Sequence, residues 1–505
     1  MENQKKMSVM ALVLMIFASI FGLGNVTTAY YQMGYGAIIW YIAGAVLFFI
    51  PTSLMFAEYG SALKESQGGI YSWLEVSIGE KPAFIGAFVW YAAWVITLVS
   101  QFSTICIPIS GLIFGKDTTQ SWHLFGMSST ETVGLIGIGL LILITWLATR
   151  GFDKIEKVAS ASGAVIIAIS GLFIVASILM LILNHGHLAQ PMSAHAIVSS
   201  PNPQFKSPIA ILSFFVYAVF AYAGMETMGG TIDRVNKPER NFPKGIILAG
   251  IGMILIYALG IFLWGVTANW HKVLGTDSTN LGNITLVLMQ NLGYTIGREV
   301  LHLPVHQALI MGQWTDRLIG FEEMMSVFGS MTVLIYSPLK TILLGSPKRL
   351  WPEKLTKLNS RKMPAFAMWM QAIVMGIIIF GVSFGGKNAQ QFYTVLTDMN
   401  NITSSVPYLF LILAFPFFKR IKNLNRSFEV YKNQKLTNTI CVVSWITIFF
   451  GIVFTIIQPV LQHDAYTAFW TVFGPVFFAL VGWIFYRHAS RNIEPVVEEG
   501  LDQVN

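Results

Sequence analysis

The sequence has little charge for its length. Only 11% of its 505 residues are charged, whereas 54% are hydrophobic, and the mean hydropathy is +0.62. A soluble domain carries about 25% charged residues, so this chain has too little polar surface to stay in water. The low charge excludes a soluble enzyme, a nucleic-acid-binding protein and a disordered chain.

Cysteine, metal-ligand patterns and nucleotide motifs are also scarce. The two cysteines, Cys106 and Cys441, both lie in apolar runs, which predicts no disulfide framework. The nine histidines fall mostly in predicted loops and show no metal-ligand spacing. The chain also lacks the G-x-x-x-x-G-K-[ST] element that holds nucleotide phosphates. We therefore predict no metal, no cofactor and no ATP-driven activity of this chain alone.

Long apolar segments dominate what remains. A helix needs about 20 apolar residues to cross the roughly 30 Å hydrocarbon core of a membrane. Twelve segments meet this criterion: 8–31, 37–57, 83–112, 132–149, 158–183, 208–230, 245–269, 318–344, 365–384, 392–418, 437–461 and 465–486. The sequence therefore predicts an all-α, polytopic membrane protein with twelve transmembrane helices.

The basic residues indicate orientation. Most of the 32 Lys and Arg residues, including Lys5, Lys6 and Arg234, fall in alternate segments between the predicted spans. The positive-inside rule places those segments, both termini and a tail at 487–505 in the cytoplasm. The amphipathic stretch 270–317 then becomes an external loop, for which we expect short interfacial helices.

Two predicted spans are interrupted by glycine. The first contains Gly22, Leu23 and Gly24, and the sixth contains Gly224 shortly before Glu226. Glycines in membrane helices also occur at packing contacts, so that alternative stays open for the first pair. A carboxylate at mid-membrane usually faces a bundle interior or a water-filled cavity. Glu226 is therefore a candidate for function, with structural pairing to a neighbouring helix as the alternative.

The positions of the two interruptions suggest a binding site. Interrupted helices at corresponding places in two halves are typical of inverted-repeat carriers with a site at the middle of the membrane. The N–H groups that begin a half-helix bind a carboxylate, and free carbonyl groups accept hydrogen bonds from an ammonium group. This pair of groups suits a zwitterionic amino acid.

Other acidic residues lie in the predicted spans. Asp398 and Asn401 fall in the tenth, where they either assist substrate or proton coupling or satisfy neighbouring helices. Glu322 and Glu323 lie near the predicted outer end of the eighth span, where we expect a solvated face.

Several motifs together resemble the amino acid–polyamine–organocation (APC) superfamily. They are N-K-P-E-R-N-F-P at 236–243, E-Y-G at 58–60 followed by G-G-I-Y-S-W at 68–73, and S-P at 337–338. The stretch S-I-F-G-L-G-N-V-T-T-A-Y at 19–30 is similar to the bacterial glutamate/GABA antiporter branch of that superfamily.

The resemblance implies a LeuT-like fold and alternating-access transport of amino acids across a bacterial inner membrane. Five helices in 1–183 and five in 184–418 would form an inverted repeat, with two more helices in 419–486. The resemblance also implies roles for particular residues: a carboxylate site at Gly22, Leu23 and Gly24, an amine site at the carbonyls around Phe220, Ala221, Tyr222 and Ala223, an aromatic gate at Phe220, and coupling at Glu226.

Alternatives within and outside transport remain. Amino-acid exchange or proton-linked uptake is our leading hypothesis. A polyamine exchanger would favour several cavity carboxylates, of which the spans offer Glu226 and Asp398. A channel or a membrane enzyme has less support, because no His, Asp or Ser groups converge at catalytic spacing and interrupted helices favour a gated site. We expect a lipid-embedded protein that is not an enzyme and binds no nucleic acid.

Overall fold

The computed structural model of the chain describes residues 8–63, 69–150, 153–226, 235–361, 363–386, 388–422 and 424–491. Within these ranges the regular elements are helices. Lys5, Lys6, Arg234, Gly68 and most of the predicted tail lie outside the described residues. The predicted all-α class is confirmed.

The helices of the first half include two that correspond to the interrupted first span. They are α1 (Val9–Ile20), α2 (Leu23–Met33), α3 (Gly36–Ala62), α4 (Ile70–Ile78), α5 (Glu80–Phe114), α6 (Ser129–Ala148), α7 (Asp153–Leu183) and α8 (Ala194–Val198).

The second half begins with a helix that is short for a membrane span. Its helices are α9 (Pro208–Phe220), α10 (Pro238–Thr267), α11 (Trp270–Val273), α12 (Ile284–Thr295), α13 (Val305–Leu334), α14 (Ser337–Gly345), α15 (Glu353–Thr356), α16 (Ala365–Gly385), α17 (Ala389–Lys419), α18 (Gln434–Leu461) and α19 (Ala465–Arg491).

Nine helices in the described residues are long and apolar enough to cross a membrane. They correspond to nine of the twelve predicted spans. The first, sixth and eighth predicted spans are not among the nine. The first is divided into α1 and α2, the sixth contains α9, and the eighth corresponds to α13. The count of twelve and the inverted repeat stay predictions.

The eighth span differs from the prediction in its position. Helix α13 begins at Val305, well before the predicted Leu318, and a second helix starts at Ser337. Helix α12 packs against the early part of α13, and glycines allow close approach: a Cβ on Gly293 would lie 3.0 Å from Cα of Gly312. Hydropathy misplaced this helix start because polar residues, among them His306, Gln307 and Gln313, interrupt the apolar residues of the early turns.

The changed start of α13 alters the surroundings of its acidic residues. Glu322 is 5% exposed and Glu323 is half-buried. The expectation that these residues form a solvated face at the outer end is therefore wrong. Both lie within the second half of α13.

Each interruption has a local cause in the sequence. Gly22 has extended backbone angles and precedes the first turn of α2. Helix α9 starts with Ser207, whose side chain accepts from the backbone N–H of Ala210, and with Pro208 in its first turn, as is typical of helix starts. After α9 the chain turns, and Gly224 has φ +116°, which favours glycine.

A buried ion-pair cluster joins the ends of α3 and α17 that we predict to be cytoplasmic. Lys419 Nζ lies 2.8 Å from carboxylate oxygens of both Glu58 and Glu429, and the side chain of Glu58 is fully buried. The Val430 N–H donates to the second oxygen of Glu58 at 3.0 Å. The neighbouring Lys419 ammonium lowers the pKa of Glu429 from its ordinary value. Removing one partner of a buried pair leaves an uncompensated charge, so this cluster holds the two helix ends together.

Helices α5 and α6 approach each other closely at one glycine. A Cβ on Gly137 would lie 2.2 Å from the carbonyl oxygen of Phe102, a backbone atom of α5. Gly139, on the same helix, is exposed, and a Cβ there would meet no atom within 4 Å. Alanine substitutions at Gly137 and Gly139 therefore distinguish the effect of close packing from the effect of helix propensity, because only the first position is closely packed.

We expect Gly137→Ala to destabilise the protein by about 1–3 kcal/mol, the usual range for overpacking. Gly139→Ala should be neutral or stabilising by roughly 0.5–1 kcal/mol, because alanine is the better helix former. Thermal unfolding of both purified variants in detergent is the measurement. Equal unfolding midpoints for the two variants would contradict the packing of α6 on α5.

Candidate functional site

The first interruption faces open space. Gly24 is exposed although it lies among buried residues of α2, and a Cβ added there would meet no atom within 4 Å. A Cβ on Gly22 would meet only the side chain of Asn25, at 3.9 Å, whereas Leu23 is buried. The first N–H groups of a helix have no intrahelical partner, and the helix dipole is positive there. The start of α2 therefore offers a carboxylate a vacant, electropositive backbone.

The second interruption is partly occupied by the protein itself. Phe220 and Ala223 are half-buried, whereas Ala221 and Tyr222 are buried. The Tyr257 hydroxyl lies 2.6 Å from the carbonyl oxygen of Ala221. Of the four residues predicted to supply the amine site, Phe220 and Ala223 are those with accessible surface.

One tyrosine of α10 connects the two interruptions. The Tyr257 hydroxyl lies 3.3 Å from the carbonyl oxygen of Ile20, at the end of α1, and also contacts the Ala221 carbonyl after α9. Asn25 donates to the same hydroxyl at 3.4 Å. Sequence reasoning missed Tyr257, because an uncharged tyrosine in an apolar span gives no signal.

Other tyrosines form the wall behind the interruptions. The hydroxyls of Tyr41 and Tyr217 donate to the Asn25 carbonyl at 3.2 and 3.3 Å. The ring of Tyr222 stacks on Phe49 at a centroid distance of 4.5 Å and is buried. The side chain of Tyr222 is therefore part of the wall, and only its backbone stays a candidate for substrate contact.

Glu226 is held by neighbours from three directions. It is 6% exposed, and its carboxylate accepts from the Tyr408 hydroxyl, from the Gly224 N–H at 3.1 Å and from Trp90 Nε1 at 3.4 Å. Trp90 lies on α5 and Tyr408 on α17. Glu226 therefore ties the second interruption to two other helices, and its role in coupling stays a prediction.

The two candidates in the tenth predicted span, Asn401 and Asp398, have different neighbours. Asn401 is 3% exposed, lies two turns before Tyr408 on the same face of α17, and its Oδ1 has no hydrogen-bond partner among the described residues. Asp398 lies about one turn before Asn401, is half-buried and interacts electrostatically with Asp464, which precedes α19. Of the two candidates, Asn401 lies on the face that contains Tyr408, the partner of Glu226.

Helix α5 contributes a stripe of side chains at helical spacing. Trp90 contacts Glu226, Thr97 donates to Asn400 at 2.8 Å, and the side chain of Gln101 accepts from Ser330 at 3.1 Å. Trp94 lies between them and its Nε1 has no partner among the described residues. Because none of these residues is charged, the sequence pattern did not distinguish them from core residues.

Two threonine hydroxyl groups link α2 to α12. The Thr27 hydroxyl lies 3.0 Å from the Gly24 carbonyl oxygen and 2.9 Å from the Thr285 hydroxyl on α12. On the neighbouring helix α13, Glu323 is half-buried. An acidic residue inside a membrane helix is a candidate for function. Glu323 meets this criterion because α13 begins at Val305 and the residue therefore lies well inside the helix.

Comparison with known proteins identifies the family. A family model described as amino acid permease matches residues 7–485. The chain belongs to the amino acid permease family. It is 45% identical over 490 residues to the inner membrane transporter YjeM of Salmonella typhimurium, covering 97% of each chain. It is 23% identical over 471 residues to a glutamate/gamma-aminobutyrate antiporter of Lactococcus lactis, covering 92% of this chain and 86% of the other.

These similarities confirm the resemblance to the APC superfamily and to its glutamate/GABA branch. The relatives are named as transporters, so this permease is a multi-pass membrane transport protein and not an enzyme. A manganese transporter of Eremococcus coleocola has a similar structure, with a TM-score of 0.52 at 11% identity over 95% of this chain and 93% of the other. At that identity the likeness concerns the fold alone.

The open space at Gly24 leads to a prediction. Gly24→Leu should abolish transport without unfolding the protein, because the side chain would fill space that the structure leaves vacant. Gly139→Leu is the matched control, since a Cβ there also meets no atom within 4 Å. Uptake into proteoliposomes, normalised to folded protein, is the measurement, and normal uptake by Gly24→Leu would exclude a site at the start of α2.

The contacts of Glu226 lead to a second prediction. Glu226→Gln removes a charge that accepts from three donors, and loss of a hydrogen bond to a charged group costs about 1.5–3 kcal/mol. We expect turnover to fall about tenfold or more, with a smaller effect on the unfolding midpoint. Tyr408→Phe is the control, because it removes one of these hydrogen bonds and keeps the charge. Loss of stability with unchanged transport by folded Glu226→Gln would reduce Glu226 to a packing role.

Proposed function

We propose that this permease is a secondary active amino-acid transporter that works by alternating access, as an exchanger or with proton coupling. The observation that carries the proposal is the meeting of two interrupted helices around Tyr257, with open space at Gly24. In a membrane, irregular backbone persists where it lies against protein or lines a cavity. An open interruption inside such a bundle is the expected form of a small-molecule site.

The two interruptions offer complementary groups to an α-amino acid. In our proposal the α-carboxylate binds the N–H groups of Gly22, Leu23 and Gly24, and the ammonium group binds the carbonyl of Ala223, a half-buried residue. Phe220 is half-buried and lies 6.1 Å from Tyr217 between ring centroids, which suits an aromatic gate over the site. Glu226, Asn401 and Asp398 remain our candidates for coupling and gating.

The proposal includes twelve transmembrane helices in a five-plus-five inverted repeat with two additional helices. It places the protein in a bacterial inner membrane, with both termini in the cytoplasm. The name of the YjeM relative supports the inner-membrane location. The buried Glu58–Lys419 pair supports closure at the end that we assign to the cytoplasm. Opening that end would require the pair to separate or to move as one unit.

Exchange is the mode that the glutamate/gamma-aminobutyrate antiporter relative supports. In that mode the empty carrier reorients slowly and the loaded carrier reorients fast. A channel has no such dependence on cargo at the opposite side. The two classes therefore differ in the effect of internal substrate on uptake.

Counterflow into proteoliposomes tests the function. The purified permease is reconstituted, the vesicles are preloaded with one unlabelled amino acid, and uptake of the same labelled amino acid is followed. We expect preloading to accelerate uptake severalfold for at least one amino acid, with Gly24→Leu vesicles inactive. Uptake that is independent of preloading would indicate a channel, and a panel of amino acids without any uptake would contradict the proposal.

A further inference from the structure

An uncovered groove lies between α17 and α18. Its volume is about 360 Å³, which is within the usual range of small-ligand sites. The walls are mostly apolar and include Leu413 and Phe417 of α17 and Val442 and Trp445 of α18, with Arg420 at the end of α17. Leu413, Phe417 and Val442 are large apolar side chains that stay exposed. Because the chain is a multi-pass membrane protein, this groove faces either lipid or another protein.

The length of the groove matches one leaflet of a membrane. Its lining residues run from Ile412 to Arg420 on α17 and from Asn438 to Trp445 on α18. At the rise of an α-helix these stretches are roughly 10–12 Å long. One leaflet contributes about half of the roughly 30 Å hydrocarbon core. The groove therefore extends from the helix ends to nearly the depth of one leaflet, which suits a fatty acyl chain.

Cations over aromatic rings indicate the level of the membrane surface at this end. The guanidinium of Arg420 lies 5.4 Å from the ring centroid of Phe417, and that of Arg487 lies 5.1 Å from the ring centroid of Trp483 on α19. Aromatic residues are enriched at the membrane–water interface, and arginine near a helix end extends toward it. Arg420 therefore lies at headgroup level where the groove opens.

The chain beside the groove is strongly basic. Residues 419–435 contain six Lys and Arg residues and one acidic residue, Glu429, which pairs with Lys419. Arg420, Lys422 and Lys435 are exposed, and within the described residues none of the three forms an ion pair. Uncompensated positive charge therefore lies near the opening of an apolar groove.

We propose that this groove binds an anionic phospholipid, with one acyl chain along Leu413 and Trp445 and the phosphate at Arg420. The planar guanidinium group matches the geometry of a phosphate, and basic pockets between membrane helices bind anionic headgroups. The apolar walls bind the chain, and the cations distinguish an anionic lipid from a zwitterionic one. The site is separate from the proposed cargo site, because none of its residues belongs to the interruptions.

Charge also favours a lipid over a second copy of the chain. In a two-fold symmetric dimer the same patch of both subunits meets. A dimer formed through this groove would bring two copies of the basic segment 419–435 together, and like charges across an interface oppose binding. An anionic headgroup would instead neutralise them.

The test is a lipid titration of the delipidated permease in detergent. Phosphatidylglycerol and phosphatidylcholine with the same acyl chains are added separately, and native mass spectrometry gives the affinity for the first lipid bound. We expect severalfold tighter binding of phosphatidylglycerol. Arg420→Gln should weaken that binding about fivefold, as expected for one basic residue near an anionic lipid, and leave phosphatidylcholine binding within about twofold.

Matched variants separate the groove from general surface charge and from bulk. Arg487→Gln removes a cation that also lies over an aromatic ring but is outside the groove, and it should not change the binding of phosphatidylglycerol. Val442→Trp fills the groove without changing its charge and should weaken binding. Val443→Trp, at an exposed position outside the lining, should leave it unchanged. Unfolding midpoints without added lipid report whether each variant is folded.

Several results would overturn the proposal. Equal affinity for the two lipids, or equal effects of Arg420→Gln and Arg487→Gln, would indicate no specific site at the groove. Competition by glycerol phosphate together with normal binding by Val442→Trp would indicate an anion site that holds no acyl chain. A dimer in the mass spectrum that Val442→Trp dissociates would make the groove an interface between copies of the chain.

Discussion

The need to satisfy backbone groups inside a membrane governs this structure. Interrupting a helix there leaves N–H and carbonyl groups that lipid cannot pair. The tyrosines meet much of that need: Tyr257 contacts the carbonyls of Ile20 and Ala221, and Tyr41 and Tyr217 donate to that of Asn25. The start of α2 at Gly24 instead faces open space. The backbone groups that have hydrogen-bond partners within the protein form the wall of the proposed site. The backbone groups at the start of α2 form the part that we propose to bind the cargo.

The same distinction separates the acidic residues. Glu58 is paired with Lys419, and Glu226 accepts from Tyr408, Trp90 and the Gly224 N–H, so both join helices to one another. Asp316 on α13 is 1% exposed, and its Oδ1 has no hydrogen-bond partner among the described residues. Buried charges are stable when they are paired and hydrogen-bonded. The Oδ1 of Asp316 therefore lacks the compensation that the carboxylates of Glu58 and Glu226 have.

The sequence predicted the helical class, the interruptions at Gly22–Gly24 and near Gly224, and the importance of Glu226, because glycine and charge are conspicuous in apolar spans. It did not predict Tyr257 or the α5 stripe, since their role depends on which helices meet and not on local composition. Glu323 was misjudged for another reason. Polar residues such as His306, Gln307 and Gln313 interrupt the apolar residues in the early turns of α13, so hydropathy alone does not identify those turns as part of a membrane helix.

We propose that the two interruptions bind the cargo together. The most direct test is a structure of the permease in lipid nanodiscs with the amino acid that gives the strongest counterflow. We predict ligand density within hydrogen-bond distance of the N–H groups of Gly22–Gly24 and of the carbonyl of Ala223. Ligand density distant from Gly24, or continuous helices through residues 20–24 and 220–224, would contradict a binding site formed by the two interruptions.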